Sequence, residues 1–586
     1  MKDQISKQLV RYLERRGVEH VFGLCGHTNI AVLAALSESK INFVNTRHEQ
    51  VAAHIADGYA RAKHTTAVVL SHLGPGLTNA STGVANAALD SVPMVVIAGD
   101  VPSHYYGKHP HQEVNLHADA AQSEIYRPFV KRVWRVERPD LFPEIIDKAF
   151  QLAETGRPGP VLVSVPMDIF SMEIDTALFE RLSLHTKSVQ KPTIDELTAE
   201  KILRTLAEAK NPVIQAGGGI ILADAAAEFQ QFVDHMGIPV AHSLMGKGVL
   251  PDDHPMTLGM TGFWGTKFVN DKCRTADWVF GLGTRFAEAD CSSWEREYTF
   301  SFPPSKLIHI DIDPSEIGRN YPVEIGAVAD LKPALAVLNR VAQRLFPGGR
   351  RNKALADEIA TYRRAFAATR VAHEQNDAFP MRPERILATV REVLPRDAII
   401  TTDVGWNKNG VGQQFPIYTP GSILTPGGFA TMGFGAPAAI GAKIACPDRV
   451  VVALVGDGGF GQNPAMLATA AEQEVPVVWI IMNNNAYGTI AGLEMAHFGT
   501  AFGCVFRRGG EPYHVDFAAI ARAYGLDGVQ ITSAAEFKPA LEKAVASGRP
   551  CVIDVAMLNE PVPTAGHWNI MDIYSPGKKI HHASTQ

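Results

Sequence analysis

The sequence predicts an α/β protein built from three doubly wound parallel-sheet domains. Three observations predict it. Short apolar runs that read as fully buried strands alternate with helical patterns along the whole chain. The 586 residues are too many for one core and suit units of roughly 150–200 residues. The alternation pauses at two breaks, His185 to Pro192 and Phe346-Pro347-Gly348-Gly349-Arg350-Arg351. The expected units are 1–185, 195–345 and 375–555, followed by a tail over 556–586.

The first unit opens on an amphipathic helical pattern over residues 1–13, which does not read as a signal peptide. A short strand, Ile41 to Val44, turns into a helix with Glu49 in its first turn. The helix dipole favours a carboxylate there. Strands follow over Ala67–Leu70, Met94–Gly99 and Pro160–Pro166. In the middle unit the strand-like run Ile214-Gln215-Ala216 ends in Gly217-Gly218-Gly219. Gly281-Leu282-Gly283-Thr284-Arg285, Ile308 to Pro314 and Val328-Ala329-Asp330 follow. The third unit carries the most informative pair of segments. One strand, Val450 to Val455, runs into Gly456-Asp457-Gly458-Gly459. A helix is expected over Gln462–Gln473, and a second strand, Val475 to Met482, runs into Asn483-Asn484-Asn485-Ala486. Both strand ends of such a βαβ unit open into one crevice, so Asp457 and Asn484 are expected side by side. The glycines let backbone approach a phosphate, and the next helix points its positive end there. A carboxylate, an amide oxygen and a backbone carbonyl suit magnesium.

Composition narrows the function classes. Hydrophobic residues at 46% and charged residues at 20% are ordinary for a globular protein. A net charge of −6 without a basic run argues against a nucleic-acid partner. The apolar runs are far shorter than the roughly 20 residues that span a bilayer, so no membrane role is expected. Six cysteines (25, 273, 291, 446, 504, 551) are dispersed without a CxxC pair. That pattern suits reduced thiols in a cytoplasm, and neither a disulfide framework nor a zinc site.

The Gly-Asp-Gly and Asn-Asn pair resembles the thiamine diphosphate motif, and further segments extend the likeness. His48-Glu49-Gln50-Val51-Ala52 through Gly58-Tyr59-Ala60-Arg61, Gly74-Pro75-Gly76-Leu77-Thr78-Asn79 and Asp90-Ser91-Val92-Pro93-Met94 resemble thiamine diphosphate enzymes of the acetohydroxyacid synthase and pyruvate oxidase group. So do Thr401-Thr402-Asp403-Val404-Gly405 and Ala430-Thr431-Met432-Gly433. The resemblance implies Asp457, Asn484 and the Ala486 carbonyl as Mg²⁺ ligands. It implies Gly405, Gly456, Gly458, Gly459, Tyr487 and Gly488 around the cofactor, Met432 as the wedge that bends it, and the Ala430 carbonyl as acceptor for its amino group. It makes Glu49 the acid that activates the aminopyrimidine. In the middle unit it implies FAD, with Gly217, Gly218 and Arg285 near the diphosphate or ribityl chain and Asp311 and Asp330 toward adenosine. The flavin would be structural or redox-active. A homo-oligomer is implied, at least a dimer and as a further expectation a tetramer, with Glu49 and Asp457 meeting between subunits.

The substrate-side loops depart from that group. Gly23-Leu24-Cys25-Gly26-His27 has Cys25 in place of proline and His27 in place of glycine, and His72 replaces a small hydroxyl residue. Gln112 matches a glutamine that faces the reactive carbon. Imidazoles there handle protons near neutral pH. Before Arg507-Arg508, the loop Met495 to Phe502 shows no obvious equivalent of the cationic clamp for a 2-oxo acid. Together these features lead to the expectation of hydrolytic ring opening of a cyclic 1,2-diketone such as cyclohexane-1,2-dione, with His27 or His72 as base. Carboligation or decarboxylation of 2-oxo acids is the first alternative, and flavin-linked oxidation of the intermediate a second. The tail reads as a lid or a strap.

Overall fold

A computed structural model describes residues 1–182 and 190–559. Three six-stranded sheets, parallel throughout, carry the molecule. In spatial order the first holds Asn42–Asn45, His20–Gly23, Ala67–Ser71, Met94–Asp100, Pro160–Pro166 and Val133–Arg135. The second holds Thr257–Met260, Val240–His242, Pro212–Ala216, Trp278–Leu282, Lys306–Asp311 and Ile325–Val328. The third holds Ile423–Leu424, Ile399–Thr402, Val451–Gly456, Val478–Asn483, Cys551–Ala556 and Asp527–Ile531. The α/β class expected from the sequence is the observed one.

Each central strand is apolar at every position because both its faces are covered. Successive side chains point to opposite faces. Met94, Val96 and Ala98 therefore enter one core, while Val95 and Ile97 enter another. Val451, Ala453 and Val455 likewise part from Val452 and Leu454.

One core is shared between the first and third sheets. Its centre is the contact of helix Glu49–Lys63 with helix Gly435–Ala445. The backbones touch there. A Cβ on Gly58 would come within 2.2 Å of the Ala438 carbonyl oxygen, and one on Gly441 within 1.9 Å of that of Ile55. Small residues let the two helices lock, and the lock fixes the loops at both helix N-termini.

Several elements differ from expectation. The chain start is not helical throughout: Lys2–Gln4 pairs antiparallel with Glu173–Asp175, and the helix runs Ile5–Arg15. The helix expected over 462–473 is shorter, Met466–Glu472, and a separate helical turn, Asp457–Phe460, precedes it. The segment read as a loop from Met495 is the end of helix Gly488–Phe498. A 22-residue helix, Lys353–Glu374, leads toward the third sheet. Most of the break near 185 and residues 560–586 of the tail lie outside the described residues. No helix among the described residues is long and apolar enough to cross a membrane. All six cysteines are unpaired.

Candidate active site

On the first sheet, the loops after strands His20–Gly23 and Ala67–Ser71 converge with the start of helix Glu49–Lys63. Glu49 is buried, and Asn79 Nδ2 donates to its Oε2 at 3.0 Å. Gly76 leaves room for the acid: a Cβ there would stand 3.3 Å from Glu49 Oε1 and 3.1 Å from His72 Cβ. His72 is also buried, between Thr28 Oγ1 at 2.8 Å from Nδ1 and Gln112 Oε1 at 2.8 Å from Nε2. An amide oxygen only accepts, so Nε2 carries the proton and Thr28 donates to Nδ1. Gly26 permits this approach, since a Cβ there would meet the His72 ring at 2.5 Å. Gln112 sits at φ 65°, its carbonyl oxygen 2.0 Å from where Gly74 would carry a Cβ.

His27 is exposed, its ring centroid 4.7 Å from that of His72 and 6.2 Å from that of His111. Partial burial and then the two neighbouring imidazoles hold its pKa below the usual histidine value. Both effects favour the neutral imidazole, which can take a proton. Glu49, His72, Gln112 and His27 thus form one connected surface. Thr28 and Asn79 complete it. Neither was assigned a role from the sequence, although Asn79 closes the Gly-Pro-Gly-Leu-Thr-Asn segment.

On the third sheet, the ends of strands Val451–Gly456 and Val478–Asn483 are adjacent, with Gly456 paired to Met482. The Asn484 side-chain amide lies 3.1 Å from Asp457 Oδ1 and 3.0 Å from the Ala486 carbonyl oxygen. With the amide oxygen toward them, three acceptors meet with no proton to share, and a cation resolves that. Turned by half a rotation, the amide nitrogen donates to both instead. Oxygens at about 2.0–2.1 Å in an octahedron are about 2.8–3.0 Å apart, so separations of 3.0 and 3.1 Å lie at the edge of what Mg²⁺ draws together. Burial pushes the Asp457 carboxyl up to about 7, which a cation reverses. Asn559 reaches the same place, its Oδ1 3.1 Å from Asn484 Nδ2.

Gly458 faces the Tyr487 ring: a Cβ there would come within 2.6 Å of that ring and 3.6 Å of Met432 Cε. Gly488 would meet Asn484 Nδ2 at 2.4 Å. Met432 and Tyr487 therefore close over the glycine turn. Gly405 has φ 123° and Ala430 has φ 51°, so both sit in turns that aim backbone groups inward. Asp403 holds these turns together. It is fully buried and accepts from Val404 N at 2.8 Å, Gly433 N at 3.1 Å and Gly435 N at 2.9 Å. An aspartate directly after a strand and before a glycine was the available signal for it.

On the second sheet the strand order reverses between Pro212–Ala216 and Trp278–Leu282. The crevice at that point receives Gly217, Gly218 and Arg285. Gly217 packs against Gly283, where a Cβ would meet its carbonyl oxygen at 2.0 Å, so this glycine serves backbone packing. Gly218 is backed by Met245. Arg285 makes no ion pair among the described residues. Asp311 is buried, with its carboxyl pushed up to about 6 by burial. The Asp330 carboxylate caps helix Leu331–Leu345 by accepting from Lys332 N and pairs with Lys191 at 2.8 Å, so it is already engaged.

The first and third domains are joined at Asp90. It accepts from Gly427 N at 2.9 Å and Gly428 N at 2.7 Å in the third domain, and from Arg61 at 2.9 Å. Arg61 also pairs with the buried Asp57 and donates to the Thr425 carbonyl at 3.0 Å. Within one chain, no hydrogen bond or ion pair among the described residues joins the Glu49 cluster to the Asp457 cluster.

The chain matches three domain families. Residues 3–121 match the thiamine pyrophosphate (TPP) enzyme N-terminal TPP binding domain, 199–338 the central domain and 403–555 the C-terminal TPP binding domain. It is 35% identical to a probable acetolactate synthase large subunit of Methanocaldococcus jannaschii, over 94% of this chain and 91% of the relative. It is 33% identical to the acetolactate synthase large subunit of Corynebacterium glutamicum, over 96% and 89%. Identity is also 33% with the large subunit of acetolactate synthase isozyme 3 of Escherichia coli, over 94% of each.

Proposed function

The chain belongs to the thiamine pyrophosphate-dependent enzymes of the acetolactate synthase type, and from that premise we propose that it makes and breaks carbon–carbon bonds beside a carbonyl, as a carboligase or decarboxylase of 2-oxo acids. Enzymes of this type use thiamine diphosphate with Mg²⁺ and FAD. The observation that carries the reading is the convergence of Asp457, Asn484 and Ala486 within 3.1 Å at the glycine turn. A cluster of acidic and imidazole ligands is not needed for such a site, and among the described residues none of that kind is found. Bound thiamine diphosphate supplies a carbanion and an electron sink at its thiazolium ring.

The protein's share of the work falls to its own residues. Asp457, Asn484 and the Ala486 carbonyl hold the metal that anchors the diphosphate. Gly456, Gly458, Gly459 and Gly405 leave backbone room for it, and Gly488 clears the Asn484 amide. Met432 and Tyr487 press on the bound molecule, and the inward turn at Ala430 presents an acceptor. Glu49, buried and hydrogen-bonded by Asn79, is placed to hydrogen-bond the aminopyrimidine nitrogen. His72 is locked between Thr28 and Gln112 and orients that amide. His27 stands exposed beside the His72 ring, where it is able to exchange a proton with substrate. Gly217, Gly218, Arg285 and Asp311 are the FAD side.

The hydrolytic ring opening of a cyclic diketone expected from the sequence becomes the second reading. The relatives above bear the name acetolactate synthase, which favours the 2-oxo acid. The coupled His27, His72 and Gln112 group favours the diketone, because it can hold and deprotonate a water beside the reacting carbonyl. One experiment separates them. The loaded enzyme is given pyruvate and, separately, cyclohexane-1,2-dione, and products are identified by mass spectrometry. Acetolactate with CO₂ supports the first reading. A six-carbon oxo acid formed by adding one water supports the second and removes the first if pyruvate is inert.

A further inference from the structure

The helix Trp406–Gln414 leaves the Gly405 turn and crosses onto the middle domain. Gly412 lies against Met260, where a Cβ would stand 2.8 Å from Sδ, and Gln413 Nε2 donates to the Trp264 carbonyl at 2.9 Å. Lys408 is on the first turn of this helix. Its side chain is buried, and its Nζ makes no hydrogen bond and no ion pair among the described residues. Its one ring contact is Trp264, with the centroid 5.7 Å away. Burial pulls its pKa down, and Asp90 and Asp403 act on it only from beyond ion-pair distance. Both carboxylates have other partners, Asp90 in Arg61 and the two glycine amides, Asp403 in three backbone amides.

A lysine whose side chain is largely buried and whose ammonium has no protein partner is costly, and an electron-rich ligand is what would offset it. Two cofactor loci flank Lys408. On the diphosphate side, Asn407 is already tied down, donating to the carbonyl oxygens of Asp403 and Leu454 at 2.9 Å each. The next residue along a helix points about 100° away, and Lys408 faces Trp264 of the middle domain. At the crevice of the second sheet the third domain touches the middle domain again. Gly218 backs on Met245, and Met245 meets Gly427, where a Cβ would stand 2.4 Å from Sδ. Gly428 follows, 3.2 Å from Arg285 Nη2 measured from the same kind of built Cβ. Arg285 stands at this junction and Lys408 meets the middle domain at Trp264; neither cation makes an ion pair among the described residues.

We propose that Lys408 binds the electron-rich N1–C2 carbonyl edge of the flavin ring of FAD, with the Trp264 indole beside it and Arg285 left to the FAD diphosphate. The proposal rests on the FAD part of the reading above. It sets a positive charge where a flavin carries negative charge when reduced or when a nucleophile adds at N5.

Sulfite is a direct probe. Its lone pair forms a bond to flavin N5, and the added negative charge settles on the N1–C2 edge. Wild type, K408M, K408Q and K408R are purified as holoenzymes. Released flavin per chain, sulfite affinity from bleaching of the flavin absorbance, and thiamine diphosphate affinity are measured on each. Wild type and K408R are expected to form the adduct. K408Q and K408M are expected either to lose flavin or to bind sulfite about tenfold more weakly, with thiamine diphosphate affinity within about twofold of wild type. Should K408M fail to fold, K408Q decides the question. Unchanged flavin content and sulfite affinity in K408Q overturn the proposal and leave the FAD reading intact. Weaker thiamine diphosphate binding with an unaltered flavin overturns it by moving Lys408 to the other cofactor. A wild-type flavin that forms no adduct overturns it as well. A wild-type protein without flavin overturns the FAD reading and the proposal together.

Discussion

Glu49 and Asp457 are both buried carboxylates, yet their surroundings ask different things of them. Glu49 accepts from the Asn79 side chain and, on the proposed reading, presents its carboxyl to the cofactor. The Glu49→Gln variant is expected to slow C2 proton exchange of bound thiamine diphosphate by about 10²–10⁴-fold while leaving Mg²⁺-dependent cofactor binding in place. NMR exchange rates check this, and an unchanged rate removes Glu49 from that role. Asp457 must lose its proton to bind metal. Its carboxyl is raised to about 7 in the metal-free protein, from 3.8. Below pH 7 Mg²⁺ must displace that proton, so Mg²⁺ affinity is expected to climb with pH and level off above about 7, a slope that Asp457→Asn abolishes. The raised value also means that the metal-free fold is favoured by the protonated acid. That contribution is complete below about 4 and is lost as pH rises through about 7, which thermal melts in EDTA at several pH values will show. His27, His72 and Gln112 were picked out as departures from a pattern. Thr28, which fixes the His72 tautomer, carried no such signal, because a hydroxyl beside a histidine is visible only once the chain is folded.

At the scale of elements, the strands were legible because parallel strands buried on both faces are written as unbroken apolar runs. Helix Gly488–Phe498 was missed because its apolar residues are interrupted by Gly488 and Gly492 and show no clean helical period. The chain start was read one element short because three polar residues pair with a strand more than 160 positions away, which no local pattern announces. The contact of helix Glu49–Lys63 with helix Gly435–Ala445 is equally silent in the sequence. Its glycines touch carbonyl oxygens, not flexible side chains, so nothing can move aside. Gly441→Ala is expected to cost about 1–3 kcal/mol or more in urea denaturation, whereas Gly348→Ala, with open space around it, should be near neutral. Equal effects at the two sites would show that the helices have slack.

For the whole molecule, Asp90 and Arg61 join the first and third domains beside the loops that approach the second. Arg61→Met leaves Asp57 and Asp90 buried without their cation, and is expected to cost about 3–5 kcal/mol in chemical denaturation. Among the described residues no hydrogen bond or ion pair joins the two halves of the proposed active site within one chain, which suits a site shared between two copies. Exposed apolar side chains such as Leu116 and Phe502 suit a covered surface. Sedimentation is expected to show at least a dimer. Mixing inactive Glu49→Gln and Asp457→Asn proteins after subunit exchange should restore activity to at most about a quarter of wild type, because half the dimers then own one intact site. No recovery would place both halves in the same chain.

The sequence by itself determined the fold class, the order of the sheets and the chemistry of the turn at Asp457, since each depends on residues close together along the chain. It also marked Glu49, by its place at a helix start. Only the tertiary structure decided what depends on residues far apart. It brought Gln112 to His72 across 40 positions, bound Asp90 to Gly427 and Gly428, and buried the Lys408 side chain without a hydrogen bond or ion pair among the described residues. Hydrogen bonds, burial and missing partners are properties of a packed interior, and a strand-by-strand reading of the chain has no term for them.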